Sequence, residues 1–299
     1  GNTALESSLS PSKKPAFFGI SLSTIDEKDP HGFILYGDVT HIEAPMATFA
    51  KKYLHVKSVS MTYLSNEPGE VQADSIIDDV LKYEGVKHIY NVGFTSSDAN
   101  LTEPFEAAHV GSTTLLILVN SGGPTCSDTY LTLQSLGVAT KTKVLVNIPC
   151  DTPTVVKADG GQLPHDWYYA DARGTLSTKT IAAMAKIGTE YGEGPISKVS
   201  FVESGFGQVV TIAKFDTEIL KSGKKITPAT VTAAARAFKG PMPQGSPHLH
   251  CGSLKRSPAV CNSLINVFEN TAPTAMNRVA KWIGVPKGFN VTSATASTG

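Results

Sequence analysis

The sequence has no excess of either charge sign and no long apolar segment. Lys and Arg together number 26, as do Asp and Glu, so the formal net charge is zero. Such a chain has no basic field to gather nucleic acid or anionic lipid. No apolar run approaches the roughly 20 residues that a membrane-spanning helix requires. We therefore expect no nucleic-acid partner and no direct membrane span.

Charged residues are also few, at 17%. Apolar residues make up 41%, which is typical of a globular protein. The 299 residues suffice for two domains. The chain begins at Gly1 rather than Met and shows no secretory signal, so we expect a processed or truncated start. The polar first 14 residues and the Gly/Ser/Thr-rich tail 286–299 are predicted to be mobile.

Four short apolar runs recur about 28 residues apart, a spacing that suits one strand and one crossover helix. The runs are Val59–Tyr63, His88–Val92, Thr114–Val119 and Val144–Ile148. This pattern predicts an α/β fold with a parallel sheet covered by helices on both faces. Ligands of such sheets bind beyond the carboxyl ends of the strands. The corresponding segments are Leu64–Gly69, Gly93–Asp98, Asn120–Pro124 and Pro149–Pro153.

Other elements follow from periodicity and from turn residues. We predict strands at 15–21 and 166–170, a polar connection up to Asp38, and helices at 44–54, 69–84, 101–108, 125–136, 153–159, 177–191, 207–221 and from Thr227–Pro228 to Phe238. The apolar stripes Ile181–Met184–Ala185–Ile187 and Val209–Ile212–Ala213–Ile219–Leu220 are expected to face inward. The segment 247–251 is expected to pair with 260–268 as a hairpin.

The four cysteines allow three pairings. Cys251 and Cys261 flank one loop, and Cys126 and Cys150 follow two strands that would be neighbours in a parallel sheet. We predict the bridges Cys126–Cys150 and Cys251–Cys261, which by loop entropy would contribute roughly 3.4 and 2.7 kcal/mol. Four reduced, buried thiols are the alternative. Disulfides would place the protein in an oxidising compartment.

Several phrases resemble the branched-chain amino acid family of type I periplasmic-binding proteins, the solute receptors of ABC importers. They are Gly85–Ile89, Ser121–Pro124 followed by Leu133–Gly137, Thr227–Gly240, and a cysteine-bearing pair, Leu249–Gly252 with Pro258–Cys261. The resemblance covers about Pro15 to Trp282. It implies doubly wound parallel sheets in two lobes, and the chain starts near the middle of the family pattern, so the first lobe is predicted to be incomplete.

The resemblance also implies a division of the chain into lobes. The first lobe would comprise 1–40 with 172–240, the second lobe 41–171 with the ligand loops, and 241–285 a hairpin and hinge return before the flexible tail 286–299. The mechanism it implies is hinge closure on a small polar solute held between the lobes, such as an amino acid, an amide or a related organic acid. The closed form would dock on a membrane permease outside the cytoplasm, in the periplasm or anchored at the cell surface.

The resemblance places the ligand site on three loops. Its residues are Ser65, Asn66 and Glu67 on one side, Ser121 with the amides of Gly122 and Gly123 as a carboxylate or carbonyl site, and Asp151 as an ammonium partner. The family places aromatic residues in these loops, whereas this chain has Pro68 and Gly122–Gly123 there, which counts against an amino acid ligand. The implied function needs no catalysis.

Other functions remain open. A ligand-sensing receptor on the same fold is one. Ser121 also permits a serine-type amide or ester hydrolase, although the Gly-x-Ser-x-Gly elbow is absent. That enzyme needs a histidine within about 3 Å of the hydroxyl, from His88, His109 or His165.

Three smaller motifs each allow a structural explanation as well as a functional one. His248, His250 and Cys251 have metal-ligand residue types, but alternation on a strand separates them, so no metal site is expected. Trp167–Tyr169 is either a stacking wall for a ligand or a core strand. Glu67 and Asp151 can be read as paired acid-base carboxylates, but loop acids or ligand contacts are favoured. No cofactor is expected, because Gly205–Phe206–Gly207 lacks the rest of a dinucleotide fingerprint.

Overall fold

The computed structural model describes residues 8, 12–95, 100–119, 123–174, 177–190, 200–243, 245–272 and 275–290. The strands are β1 (Ala16–Ser21), β2 (Gly32–Asp38), β3 (Ser58–Leu64), β4 (His88–Phe94), β5 (Leu115–Val119), β6 (Lys143–Asn147), β7 (Trp167–Asp171), β8 (Leu264–Ala272) and β9 (Ala275–Gly284). The α-helices are α1 (Val39–Lys52), α2 (Pro68–Tyr83), α3 (Thr102–Ala107), α4 (Gly123–Ser135), α5 (Pro153–Ala158), α6 (Thr178–Glu190), α7 (Ser200–Lys221) and α8 (Pro228–Ala237).

The chain forms two compact units. Unit 1 comprises Gly1–Asp38 and Ala172–Leu264, and unit 2 comprises Val39–Asp171 and Ile265–Gly299. The functional lobe boundaries derived from the sequence stay predictions. In the part of the chain that the structure describes, no helix has the length and apolar character needed to cross a membrane.

Unit 2 is built on a seven-stranded sheet in the order β4-β3-β5-β6-β7-β8-β9. Strands β4, β3, β5, β6 and β7 pair in parallel, and β8 pairs antiparallel to β7. The four apolar runs therefore form neighbouring parallel strands, as predicted. Strand β5 is buried along its whole length, as expected for a central parallel strand with both faces covered.

Helices cover both faces of this sheet. One face packs Leu116, Val144 and Trp167 in a cluster with residues of α3, α4 and α5, among them Phe105, Leu133 and Val155. The residues between them in the strands, Met61, Ile117 and Leu145, are also buried, on the opposite face. Helices α1 and α2 pack on each other and on the sheet. Trp167 and Tyr169 are thus core residues of β7, with 1% and 0% exposure, and not a stacking wall.

Unit 1 contains the parallel pair β1–β2. On one side of the pair, Phe17 stacks on Phe33 with 5.0 Å between ring centroids, and Phe215 of α7 lies 5.9 Å from Phe17. The prediction of a polar connection up to Asp38 is wrong, because Gly32–Asp38 is a fully buried strand. Its apolar centre is continuous rather than alternating, so the periodicity of a half-buried strand is absent.

Two predicted apolar stripes in unit 1 are only partly buried. On α6 only Met184 of the stripe is buried, whereas Ile181 is 53% exposed. Helix α7 begins seven residues earlier than predicted, at Ser200. It buries Thr211, Phe215 and Ile219, and leaves Val209 66% exposed. The expectation that both whole stripes face inward is therefore wrong.

The predicted hairpin is also different from the observed one. Residues 247–251 lie in turns rather than in a strand, and the pairing there is a hydrogen bond from the His250 amide to the Cys261 carbonyl. The strands that follow this region along the chain are β8 and β9, which are neighbours in the seven-stranded sheet. The start of α8 matches its prediction, because Thr227 caps the helix in a reciprocal capping box and Pro228 is its first residue.

Both predicted disulfides are present. Cys126 is bonded to Cys150 within unit 2, and Cys251 to Cys261 within unit 1, so no cysteine of the chain is free. The first bridge ties α4 to the short 3₁₀ turn Ile148–Cys150 that follows β6. The second bridge uses the sulfur of Cys251, which is therefore no thiolate ligand for a metal.

Candidate functional site

The carboxyl edge of the parallel strands in unit 2 contains a topological switch. From β3 the chain passes through α2 to β4 on one side, and it later returns to β5 on the other side of β3. Helix α2 lies on one face of the sheet and α4 on the other. Doubly wound sheets bind ligands in a crevice at such a switch, outside the carboxyl ends of the strands, and we call this edge of the sheet the crevice edge.

Residues 65–67 follow β3 directly and reach the surface. Both the amide and the hydroxyl of Ser65 donate hydrogen bonds to the Phe94 carbonyl, at 2.7 and 3.0 Å. This anchors the loop to the end of β4. The close approach requires a glycine at position 93, since a Cβ there would lie 2.9 Å from the Ser65 Cβ. The Ser65 hydroxyl can still accept a hydrogen bond from a ligand.

Glu67 is the N-cap residue of α2, and Pro68 occupies the first turn. The Glu67 side chain makes no capping hydrogen bond, and the residue is exposed. Its carboxylate is therefore presented at the crevice edge rather than used to close the helix. Asn66, between Ser65 and Glu67, is exposed as well.

The remaining predicted ligand residues follow β5 and β6. Ser121 and Gly122 lie outside the described residues, and Gly123 is the first residue of α4. Asp151 follows the 3₁₀ turn after β6 and precedes Thr152, whose hydroxyl accepts from the Val155 amide and caps α5. Strands β3 and β6 are separated only by β5, so their ends lie about 10 Å apart. The roles assigned to these residues stay predictions.

Three buried carboxyl groups lie beneath this edge, between α1, α2 and the sheet. The Asn147 side-chain amide, at the end of β6, donates to Glu43 at 3.0 Å, and the Asn91 amide donates to Asp74 at 2.7 Å. A carboxylate oxygen of Glu70 accepts from the Leu64 amide at 3.0 Å, at the end of β3. These acids were missed at the sequence level, because a helical carboxylate is normally solvated.

Burial controls the protonation of two of these acids. Desolvation raises the pKa of Glu43 to about 7, the amide of Asn147 opposes this, and the nearby charges of Glu70 and Asp74 add to it. Desolvation also raises the pKa of Asp74 to about 7, against the Asn91 hydrogen bond, and Asp78 contributes further.

The remaining charge near Asp74 is that of Lys82, which lowers the pKa of Asp74 but is itself bonded to Asp78. One oxygen of Glu43 and one of Asp74 have no hydrogen-bond partner among the described residues. The two acids are therefore held in a site that resists ionisation near neutral pH.

The three histidines required by the hydrolase alternative lie elsewhere. His88 is the first residue of β4, His109 precedes β5, and His165 precedes β7. The His109 ring packs on Tyr90, 4.3 Å between centroids. All three are thus at the amino ends of parallel strands, on the edge opposite to the loops that follow the strands. Nothing in this placement supplies a base to those loops.

The parallel sheet with helices on both faces and the switch between β3 and β5 define a doubly wound α/β fold. Comparisons with solved structures identify the fold. The chain is similar to a branched-chain amino acid ABC transporter protein from Thermus thermophilus with bound valine (TM-score 0.74, 14% identity), over 95% of this chain and 75% of that chain. It is also similar to a branched-chain amino acid ABC transporter periplasmic ligand-binding protein from Burkholderia xenovorans (TM-score 0.73, 18% identity, 94% and 74% covered).

A third similar structure is a solute binding protein of an ABC transporter from Rhodopseudomonas palustris in complex with p-hydroxybenzoic acid (TM-score 0.70, 16% identity, 93% and 74% covered). No protein-family model matches the sequence, and no curated protein matches it significantly. The likenesses confirm the predicted type I periplasmic-binding-protein fold. The chain spans about three quarters of the length of these relatives, which agrees with the predicted incomplete first lobe.

Proposed function

We propose that the chain is the substrate-binding component of an ABC importer, which captures a small polar solute and delivers it to a membrane permease. The observation that carries the proposal is the topological switch between β3 and β5 in unit 2, on a fold whose similar structures are solute-binding proteins of ABC transporters. Ligand sites use a small number of convergent polar groups, and the segments at this switch contain hydroxyl and carboxyl side chains.

The loops after β3, β5 and β6 supply complementary groups in this proposal. Ser65, Asn66 and Glu67 line one side, and Ser121 with the Gly122 and Gly123 amides lines the other. Asp151 pairs with a positively charged group of the solute. The similar proteins bind ligands as different as valine and p-hydroxybenzoic acid, so the fold leaves the solute open.

The proposed location is outside the cytoplasm, where the permease of an importer receives its binding protein. Two disulfides, Cys126–Cys150 and Cys251–Cys261, support this location, because such bonds persist in oxidising compartments. Thiol titration after unfolding tests it on natively isolated protein. Four reactive thiols without reductant would contradict an extracytoplasmic location.

A thermal-shift panel of amino acids, amides, urea, amines and aromatic acids tests the function. A true ligand at 100 times its Kd stabilises the protein by about 2.7 kcal/mol. Asp151→Ala and Ser121→Ala should weaken the response, whereas the control Asp79→Asn, an exposed acid on α2, should leave it unchanged. Equal responses in all three variants would show that the binding site lies elsewhere, and silence across the whole panel would contradict the proposal.

A further inference from the structure

Acidic residues outnumber basic ones at the carboxyl edge of the parallel sheet of unit 2. The segments that follow β3, β4, β5 and β6, up to the next helix, contain no Lys or Arg, and those after β3 and β6 contain Glu67 and Asp151. The segments that precede β3 to β7 contain Lys57, Lys87 and Lys141 but also Glu84, Asp159 and Asp166, so their charges cancel. The segment after β7 contains Arg173, but acidic residues still outnumber basic ones at the crevice edge.

The buried acids lie under the same acidic edge. Glu43 is 1% exposed, is bonded to Asn147 at the end of β6, and has one carboxyl oxygen without a partner among the described residues. Asp74 also has one carboxyl oxygen without a hydrogen-bond partner among the described residues. Glu43 faces Glu70 and Asp74 from α2 and the amide of Asn147 from β6. Asp74 faces Asn91 from β4, Tyr63 from β3, and Asp78 and Lys82 on its own helix.

Helix dipoles oppose the negative charge of this edge, because helix N-termini attract anions. A helix N-terminus carries about half a positive charge, and α2, α3, α4 and α5 all begin at this edge, because each follows a parallel strand. At α2 the full charges of Glu67 and Glu70 outweigh that half charge. Helices α4 and α5 have no acidic residue in their first turns, so their N-termini attract anions, as does Arg173 after β7. The charges of three carboxylates, Glu67, Glu70 and Asp151, exceed the two half charges of these N-termini and the one charge of Arg173.

We propose that the solute taken up at this edge carries a net positive charge, as a diamine, guanidine or other amine without a compensating carboxylate. This inference rests on the proposed function and specifies its substrate class. A cation at the crevice is attracted by Glu67 and Asp151 directly and by the buried carboxyl groups through a medium of low dielectric constant. An anionic solute is repelled by the same groups.

A matched five-carbon series separates charge from size and shape. The probes are 1,5-diaminopentane, 5-aminopentanoic acid, glutaric acid and 1,5-pentanediol, each titrated by calorimetry against the full chain, with a wider set of amines, amino acids, amides and acids as second arm. The diamine should bind most tightly in the series. Glu67→Gln should weaken it up to about fivefold, as expected for an exposed ion pair. Glu106→Gln, an exposed acid that precedes β5 at the opposite edge, should not weaken it.

Two further readouts distinguish electrostatic selection of the solute from a purely structural role of the acidic residues. Raising the ionic strength from 0.05 to 0.5 M should weaken the diamine and leave the neutral diol unchanged. Binding of a cation should release protons near pH 7 from the Glu43–Asp74 pair, seen as a heat that depends on the ionisation enthalpy of the buffer.

Each outcome decides one of the two proposals. Tightest binding by cations in either arm supports the inference. Tighter binding by zwitterions, acids or neutral solutes than by matched cations overturns it and leaves the proposed function standing. Failure of every charge class to bind overturns the proposed function and this inference with it.

Discussion

Replacing Glu43 by glutamine should make unit 2 more stable at alkaline pH and flatten its dependence on pH. Glutamine has nearly the shape of glutamic acid and retains an oxygen that accepts from the Asn147 amide. Its NH₂ group stands where the protonated carboxyl would carry its hydrogen, so Glu43→Gln imitates the protonated state at every pH. The substitution removes the charge that Glu70 and Asp74 oppose.

The magnitude follows from the raised pKa. Burial raises the pKa of Glu43 from 4.5 to about 7, which corresponds to about 3 kcal/mol between folded and unfolded states. Because the folded pKa is the higher one, the folded state binds more protons, and stability falls as pH rises from about 4.5 to about 7. Above that window the whole penalty is present, and below it the penalty is absent. Coupling to Asp74 makes the two contributions non-additive.

Urea unfolding at pH 5, 6, 7 and 8 measures the effect. Both tryptophans of the chain, Trp167 and Trp282, lie in unit 2, so their fluorescence reports that unit alone. Glu43→Gln should exceed the original protein by less than about 1 kcal/mol at pH 5 and by about 3 kcal/mol at pH 8. Glu106→Gln, on the exposed side of α3, is the matched control and should change neither value. A pH profile of Glu43→Gln that parallels the original would refute the burial argument.

Three further predictions concern two glycines and one disulfide. A methyl group at position 93 would lie 2.9 Å from both the Ser65 Cβ and the Tyr63 Cζ, so Gly93→Ala should cost about 1–3 kcal/mol in tryptophan-monitored unfolding. Gly205→Ala, in α7 with no atom within 4 Å of the new Cβ, should instead stabilise unit 1 by about 0.5–1 kcal/mol in circular dichroism melts. Reduction of Cys126–Cys150 should lower the stability of unit 2 by about 3 kcal/mol, and an unchanged melt with reductant would contradict that bridge.

The parallel sheet of unit 2 was predictable because its strands are buried on both faces and therefore form uninterrupted apolar runs. The even spacing of those runs leaves room only for crossover helices, which fixes their parallel direction. Strand β2 has an equally apolar centre, Phe33–Tyr36, which begins 26 residues before Val59 and so fits the spacing of the other runs, yet it follows a Gly/Pro-containing turn and pairs with β1 rather than β3. Its burial depends on β1 and on the segment around Val260, contacts that are distant along the chain.

The stripes of α6 and α7 show the limit of helical periodicity. A stripe indicates which face of a helix can be buried, but it does not supply the partner that buries it. Among the described residues, unit 1 offers the two-stranded sheet β1–β2 to its helices. Phe215 of α7 occupies that surface, and Ile181 of α6 remains exposed. Periodicity therefore gives the correct helices and an incorrect burial for part of their residues.

Positions in the candidate site were predictable to the extent that they follow strand ends. Glu67 and Asp151 are next to elements that the sequence reveals, so their edge of the sheet follows from topology. Glu43 and Asp74 had no such signal, because acidic residues on amphipathic helices are ordinarily solvated. Only the packing of α1 on α2 removes both from water.

The retention of Glu43 is informative because the same position would be more stable with an uncharged side chain. No basic residue contributes to the shift in its pKa, and glutamine would keep the bond to Asn147. If the acid serves only the fold, Glu43→Gln should raise stability and leave solute binding unchanged. If it contributes to the negative field at the crevice, the same variant should be more stable at pH 8 and bind 1,5-diaminopentane more weakly, with less proton release. A variant that gains stability with undiminished diamine affinity would separate the buried acids from the binding site.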